Sequence, residues 1–329
     1  MFAGMRVLFA SLSSVGHTYP LIPLAIATRE AGHTVRFAAG ENVHEPLAAN
    51  GLRPFRPADA FYEIYEEDLT PELARWRPDL IVHEWGLPGA ADAAKKAGIP
   101  NIWHGFGRLF PNNIGLERPT GTGRPHLDIC PPSLQDKNFL TTEDRIELRP
   151  VPFSPPGQLP QESGPLIYLT LGTAFGTAEL LTTAITALAT LGMPVVVATG
   201  QVNPEELGTL PNNVTAHKWV PQAKLLPRAN VVVHHGGSGT TLAALAAGAP
   251  QLLLPQGADQ FANAEALVTA GAALTLTHEE QTTTAITEHT RTLLSNNDHR
   301  DAARSLAEEI AHMPPPEEVA KRLPNYTNH

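Results

Sequence analysis

The chain has 329 residues, 42% of them hydrophobic and 17% charged, enough apolar material for two cores of ordinary size. A formal charge of −10 leaves no basic stripe to neutralise phosphates and excludes nucleic acid as a partner. The single cysteine, Cys130, excludes an intrachain disulfide and fits a reducing, cytoplasmic setting. No apolar run approaches membrane-span length, and Met1-Phe2-Ala3-Gly4 lacks the build of a signal peptide.

In chain order the first half predicts a strand at 6–11, a helix at 20–31 and a strand at 34–39. A helix at 42–50, a strand at 80–83, a helix at 88–97 and a strand at 101–104 follow. The strands are continuous apolar runs, as a parallel sheet covered on both faces requires. Several helices open at Pro and close at Gly32, Gly51 or Gly98. The Pro-rich stretch 145–165 reads as a linker. A second alternating set runs over 166–276, with helices expected at 283–294 and 298–312. Two such halves predict an α/β chain of two doubly wound, Rossmann-like domains facing across a cleft. The expected boundaries are 1–150 and 151–314.

The most informative segment is His234-His235-Gly236-Gly237-Ser238-Gly239-Thr240-Thr241, which follows the apolar strand Asn230-Val231-Val232-Val233. A strand feeding a Gly/Ser/Thr turn that opens a helix aims free N–H groups and a helix dipole at an anion. Ser238, Thr240 and Thr241 add hydroxyls, Gly237 and Gly239 allow close approach, and His235 can add a proton or a positive charge. No P-loop Lys is present, and the third Gly of the dinucleotide fingerprint is missing. The competing reading is a small-residue turn that merely packs tightly.

Neighbouring strand ends sharpen this picture. Asp259-Gln260 lies beyond the strand at 251–255, and Trp219-Val220-Pro221-Gln222 ends the strand at 214–218. Ligands of open parallel sheets bind outside the carboxyl ends of strands. Trp219 is a stacking face for a base, unless it is an ordinary core tryptophan. Together Trp219, Val220, Gln222, the cradle and the Asp259-Gln260 pair outline a site for base, diphosphate and sugar. Gly172-Thr173, after the strand beginning at 166, would close the other side of the diphosphate, the alternative being strand-turn packing. No Asp-x-Asp motif accompanies the cradle, so no metal is expected and the dipole and His235 would take the place of a cation.

In the first half, His17 follows the first strand in Ser13-Ser14-Val15-Gly16-His17, at that strand's carboxyl end. An imidazole, with an ordinary pKa of about 6.5, suits removal of a hydroxyl proton near neutral pH. Glu84 ends the apolar strand at 80–83, and His104 ends the strand at 101–104. A turn histidine and a solvated loop carboxylate are the plain alternatives.

From residue 219 to 264 the chain resembles the donor-binding signature of inverting nucleotide-sugar glycosyltransferases of the two-domain GT-B fold. The His-His-Gly-Gly-Ser-Gly-Thr-Thr wording is most similar to actinomycete enzymes that decorate polyketide, macrolide and enediyne natural products, the calicheamicin type among them. Met5-Arg6-Val7-Leu8-Phe9-Ala10, Gly16-His17-Thr18-Tyr19-Pro20, Leu169-Thr170-Leu171-Gly172-Thr173 and Met313-Pro314 extend the resemblance over nearly the whole chain.

The resemblance implies that His17 takes the acceptor proton and that Glu84, where plant relatives carry Asp, orients it. It implies His104 as acceptor lining and a final helix near 317–323, within 315–329, returning to the first domain. Uridine-type relatives carry a ribose-binding Glu eight residues after the motif histidine. Here that position is Ala243, which points to a dTDP-sugar with a deoxysugar as substrate, no cofactor, and a hydrophobic aglycone as acceptor. A homodimer is left open. Two stretches, 61–71 and 115–123, are short where relatives build acceptor loops. Two other readings share the architecture: a nucleotide-sugar epimerase, and a non-catalytic nucleotide-sugar-binding partner protein.

Overall fold

The computed structural model describes residues 4–57, 64–109, 125–142, 144–161, 164–174 and 176–327. The stretch 115–123, and residues 61–63 of the stretch 61–71, lie outside them. Contacts divide the chain into two compact units, Met1–Phe153 with His312–His329, and Ser154–Ala311.

The first unit holds a seven-stranded parallel sheet. Its strands are β1 (Arg6–Ala10), β2 (Thr34–Ala38), β3 (Pro54–Phe55), β4 (Leu80–Glu84), β5 (Asn101–His104), β6 (His126–Asp128) and β7 (Arg145–Glu147). Their spatial order is β3-β2-β1-β4-β5-β6-β7, so the winding reverses between β1 and β4. Leu8, Ala10 and Ile81 pack with Leu69, Leu73, Ala90 and Ala94 in one core cluster. The Pro316–Arg322 helix packs on the Ile22–Glu30 helix. The Arg149 backbone and guanidinium donate to the carbonyls of Pro314 and Met313, at 2.8 and 3.1 Å, which pins the returning tail.

The second unit repeats the plan with β8 (Leu166–Thr170), β9 (Val195–Ala198), β10 (Val214–His217), β11 (Ala229–His234), β12 (Gln251–Leu253) and β13 (Ala273–Thr275). The order is β10-β9-β8-β11-β12-β13, with the reversal between β8 and β11. Successive β8 side chains enter opposite cores: Ile167 and Leu169 on one face, Leu166 and Tyr168 on the other. Coverage of both faces explains why these strands read as unbroken apolar runs.

Several elements depart from the sequence reading. A helix, Glu66–Trp76, occupies part of the stretch read as a short acidic segment, with Asp68 accepting from the Tyr65 N–H at 2.8 Å. Strand β6 and the Lys137–Thr142 helix are additional. Arg145, read as the start of the linker, lies instead in β7, paired in register with β6.

The charge on Arg145 is tolerated because Asp128 faces it. Its Nε donates to Asp128 Oδ2 at 3.1 Å, and the Asp128 side chain has no exposed surface. Asp128 Oδ1 also accepts from the Cys130 N–H and from Gln135 Nε2. Gln135 Oε1 in turn accepts the N–H groups of Leu109 and Asp136, each at 2.8 Å. Burial raises the Asp128 pKa, and the bonds from Cys130, Arg145 and Gln135 counter it. Removing one partner of such a pair strands the other charge. Arg145→Leu should therefore lower stability by about 3–5 kcal/mol. Urea unfolding followed by tryptophan fluorescence measures it, since Trp76, Trp85 and Trp103 of the four indoles lie in this unit. A midpoint equal to that of the wild type would contradict this account.

Candidate active site

In the first unit the strand-order reversal brings together the loop after β1 and the end of β4. The β1 loop is fixed before the short Val15–Thr18 helix that carries His17. Thr18 Oγ1 donates to the Leu12 carbonyl at 3.0 Å, and Ser13 Oγ accepts the Gly40 N–H at 2.7 Å. A Cβ at Gly40 would collide with Ser13, so only glycine permits this approach.

His17 Nδ1 lies 3.0 Å from Glu84 Oε1, with the imidazole 20% exposed and the carboxylate fully buried. The same oxygen accepts the Gly86 N–H at 2.9 Å, which holds the carboxylate in place. A ring nitrogen facing a carboxylate carries the proton, which makes Nε2 the basic nitrogen of His17. Phe106 packs against the imidazole with ring centroids 5.0 Å apart, and Trp85 lies 6.2 Å from Phe106. Sequence reasoning did not single out Phe106; its signal is an aromatic set between Gly105 and Gly107 directly after a strand.

His104 sits beside Glu84 in register but has no exposed surface. Its Nδ1 donates to the Gly105 carbonyl at 2.6 Å, and burial lowers its pKa to about 4. The ring is therefore a neutral interior group.

In the second unit the reversal brings together the ends of β8 and β11. The Ser238–Ala246 helix starts from Gly237 with no side-chain cap, so the amides of its first turn keep their donors. His235 is enclosed by glycines, and a Cβ at either Gly172 or Gly237 would collide with its ring. Gly172 also has φ of 73°, a left-handed conformation suited to glycine. Burial lowers the His235 pKa to about 4, while the Asp259 charge and the Thr170 carbonyl pull it back upward. Burial thus favours the neutral ring, and the Asp259 charge and the Thr170 carbonyl favour its protonated form. Gly239 has open space around its Cα, and Thr173 is exposed, whereas Thr240 is buried.

Asp259 and Gln260 stand at the start of the Gln260–Thr269 helix, after β12. Ser238 Oγ donates to Asp259 Oδ2 at 2.7 Å, and Asn263 Nδ2 donates to the same oxygen at 2.9 Å. Gln260 is buried, and its Oε1 accepts the N–H groups of Gln256 and Gly257 at 2.7 and 3.2 Å. Trp219 is 40% exposed, an unusual placement for an indole, while its neighbour Val220 is in the core. Gln222 opens a short helix, Gln222–Leu225. Ala243 packs in the apolar cluster with Tyr168 and Val232, so that position presents no polar group. Asn263, unnoticed in the sequence, lies one helical turn beyond Asp259. Among the described residues no group of three or more His, Cys, Asp or Glu side chains could hold a metal, and no helix is long and apolar enough to cross a membrane.

Comparison with known proteins adds to this geometry. Residues 182–325 match the family described as Erythromycin biosynthesis protein CIII-like, C-terminal domain. The L-demethylnoviosyl transferase of Streptomyces niveus is 32% identical, with 97% of each chain covered. The elloramycin glycosyltransferase ElmGT of Streptomyces olivaceus is also 32% identical, again over 97% of each chain. The crystal structure of glycosyltransferase SsfS6 from Streptomyces sp. SF2575, complexed with thymidine diphosphate, superposes with a TM-score of 0.80 at 25% identity. That match covers 98% of this chain and 99% of the other. The Streptomyces niveus alignment spans 378 positions against 329 residues here, so that relative carries segments this chain lacks.

Imidazoles whose pKa is lowered by burial set an acid limit on the fold. Burial lowers His104 and His235 to about 4, and His126 and His234 to about 3, from an ordinary 6.5. Unfolding lets each take up a proton that the folded chain refuses. Stability from these groups is complete above about pH 6.5 and falls as pH drops toward 3–4, by up to about 1.4 kcal/mol per pH unit for each ring. Urea midpoints measured from pH 7 to pH 5 should decline steadily; a flat profile would sink the argument.

Proposed function

Because the chain belongs to the GT-B glycosyltransferases of actinomycete natural-product biosynthesis, we propose that it moves a deoxysugar from a dTDP-sugar to a hydroxyl of a polyketide-like acceptor, inverting the anomeric carbon without a metal. The observation that carries this reading is the His17–Glu84 contact at the strand reversal of the first unit, matched by an uncapped helix start at the reversal of the second.

The chemistry runs as an in-line displacement. The acceptor hydroxyl gives its proton to His17 Nε2 while its oxygen bonds to the anomeric carbon. The bond from that carbon to the diphosphate oxygen breaks, and nucleoside diphosphate leaves with the electron pair. Glu84 favours the imidazolium that forms, as a buried carboxylate beside Nδ1 must. Negative charge growing on the phosphates meets the first-turn amides of the Ser238–Ala246 helix, with the His235 ring beside them. Gly172, Thr173, Gly237, Gly239 and Thr240 frame that cradle, with Trp219 and Gln222 toward the base, anchored by Val220 in the core, and Asp259 toward the sugar on a loop that buried Gln260 holds through Gln256 and Gly257. Thymidine as the nucleoside is supported by the thymidine diphosphate bound to the related SsfS6 and by the apolar Ala243 where other relatives carry a ribose-binding Glu.

A panel of dTDP-sugars and phenolic or macrolide acceptors, assayed for glycoside and free nucleoside diphosphate, tests the reaction. An epimerised sugar nucleotide, or binding without turnover, would select the other two readings. His17→Ala should slow transfer about 10²–10⁴-fold while leaving dTDP affinity within about twofold. Glu84→Gln keeps acceptors for Nδ1 and Gly86 but loses the charge, so a smaller loss of about tenfold is expected. Near-normal transfer by His17→Ala would move the base elsewhere. Addition of EDTA should leave turnover within about twofold, since backbone and hydroxyl donors offer a hard cation no ligand set; activity lost to chelator and restored by magnesium would contradict this.

A further inference from the structure

His234, the first of the paired histidines, has no exposed surface and cannot touch a substrate, yet it is hydrogen-bonded at both nitrogens. Its Nδ1 accepts the Gly236 N–H at 3.1 Å, and its Nε2 lies 2.7 Å from Gln251 Oε1. A nitrogen that accepts from an amide holds no proton, so Nε2 carries the ring's single hydrogen and donates it to Gln251. That orientation turns the Gln251 amide nitrogen toward the Thr241 carbonyl, 3.3 Å away. One chain of hydrogen bonds thus joins the turn after β11, strand β12 and the first turns of the Ser238–Ala246 helix.

The Gly236 peptide is held from its other side as well. Its carbonyl accepts from Asn263 Nδ2 at 2.9 Å, and that amide also reaches Ser238 Oγ and Asp259 Oδ2. Gly236 itself has φ of 90°, a conformation an L side chain resists, and a Cβ there would crowd the Gln260 carbonyl. The turn that launches the helix is therefore a left-handed glycine gripped at N–H and C=O by two buried side chains.

We propose that His234 is a positioning residue for the diphosphate: by holding the Gly236 N–H it aims the turn, and with it the amides of the next helix, at the leaving group. The inference rests on the diphosphate reading of the cradle. It makes the two histidines different in kind, since His235 meets the ligand whereas His234 acts through Gly236. Protonation of His234 would also break the grip, because Nδ1 would then be a donor facing a donor; burial, which lowers its pKa to about 3, keeps that form away.

Two conservative variants separate the ends of the chain. In His234→Asn the side-chain oxygen falls near the position of Nδ1 and can still accept from Gly236. In His234→Gln the amide reaches toward Gln251 and leaves Gly236 without its acceptor. Isothermal titration of the full chain with thymidine diphosphate, and separately with inorganic pyrophosphate, should rank wild type and Asn within about threefold, and Gln at least about tenfold weaker for both ligands. Melting temperatures supply the control, since a purely structural role predicts lower stability without that ranking at a temperature where both variants are folded. Equal affinities for Asn and Gln, or a Gln variant that binds as wild type does, would overturn the proposal. Wild-type protein that binds neither ligand would overturn the cradle reading and this inference with it.

Discussion

The candidate cluster of each unit depends on one constraint, the register of parallel strands where its sheet reverses its winding. At such a reversal, neighbouring strands send their connections in opposite directions, and a crevice is left between the loops. Ala10 pairs with His83, which sets the loop after β1 beside Glu84 and allows the 3.0 Å contact to His17. His234 pairs with Thr170, which sets Gly172 against the His235 ring. Side chains alternate between faces along a strand, so a slip of one residue would carry Glu84 to the other face of the sheet. The continuous apolar cores on both faces forbid that slip, and packing in this way fixes the chemistry.

The two clusters solve their electrostatic problems differently. In the first unit the buried Glu84 carboxylate receives an amide N–H and faces the His17 imidazole, the group that the proposed reaction would make cationic. In the second unit burial disfavours the charged form of both histidines, and the uncapped helix start supplies positive potential from backbone dipoles. A dipolar cradle needs no desolvated cation and leaves no strong charge behind when the product departs. The cost is conformational: glycines at 172, 236 and 237 must hold geometries in which a side chain is strained or collides.

Alternating strands and helices were legible because each strand is apolar along its whole length and each turn is marked by Gly or Pro. Residues at strand ends were legible for the related reason that a parallel sheet presents ligands there, and His17, Glu84 and His235 lie where that rule places them. Strand β7 was not legible: Arg145 and Glu147 look like linker until Asp128, seventeen residues earlier, arrives opposite Arg145. The Glu66–Trp76 helix was hidden by its acidic first turn and internal Pro71, although Leu69 and Leu73 carried the helical spacing of its buried face. Phe106, Asn263 and the grip of His234 are products of tertiary contact. Their residue types are ordinary in sequence, and only the folded chain brings them against His17, Gly236 and each other.

The hydrogen bonds from Leu109 and Asp136 to Gln135 have a consequence for how such a protein can diversify. Leu109 is tied through Gln135 to the buried Asp128–Arg145 pair, and His126 is locked into the sheet between β5 and β7. The interval between them is where family resemblance locates an acceptor loop, and both of its ends are anchored in the core. Glu84 draws its bonds to His17 and Gly86 from outside that interval. A foreign segment grafted there would enter and leave through two fixed points of the sheet.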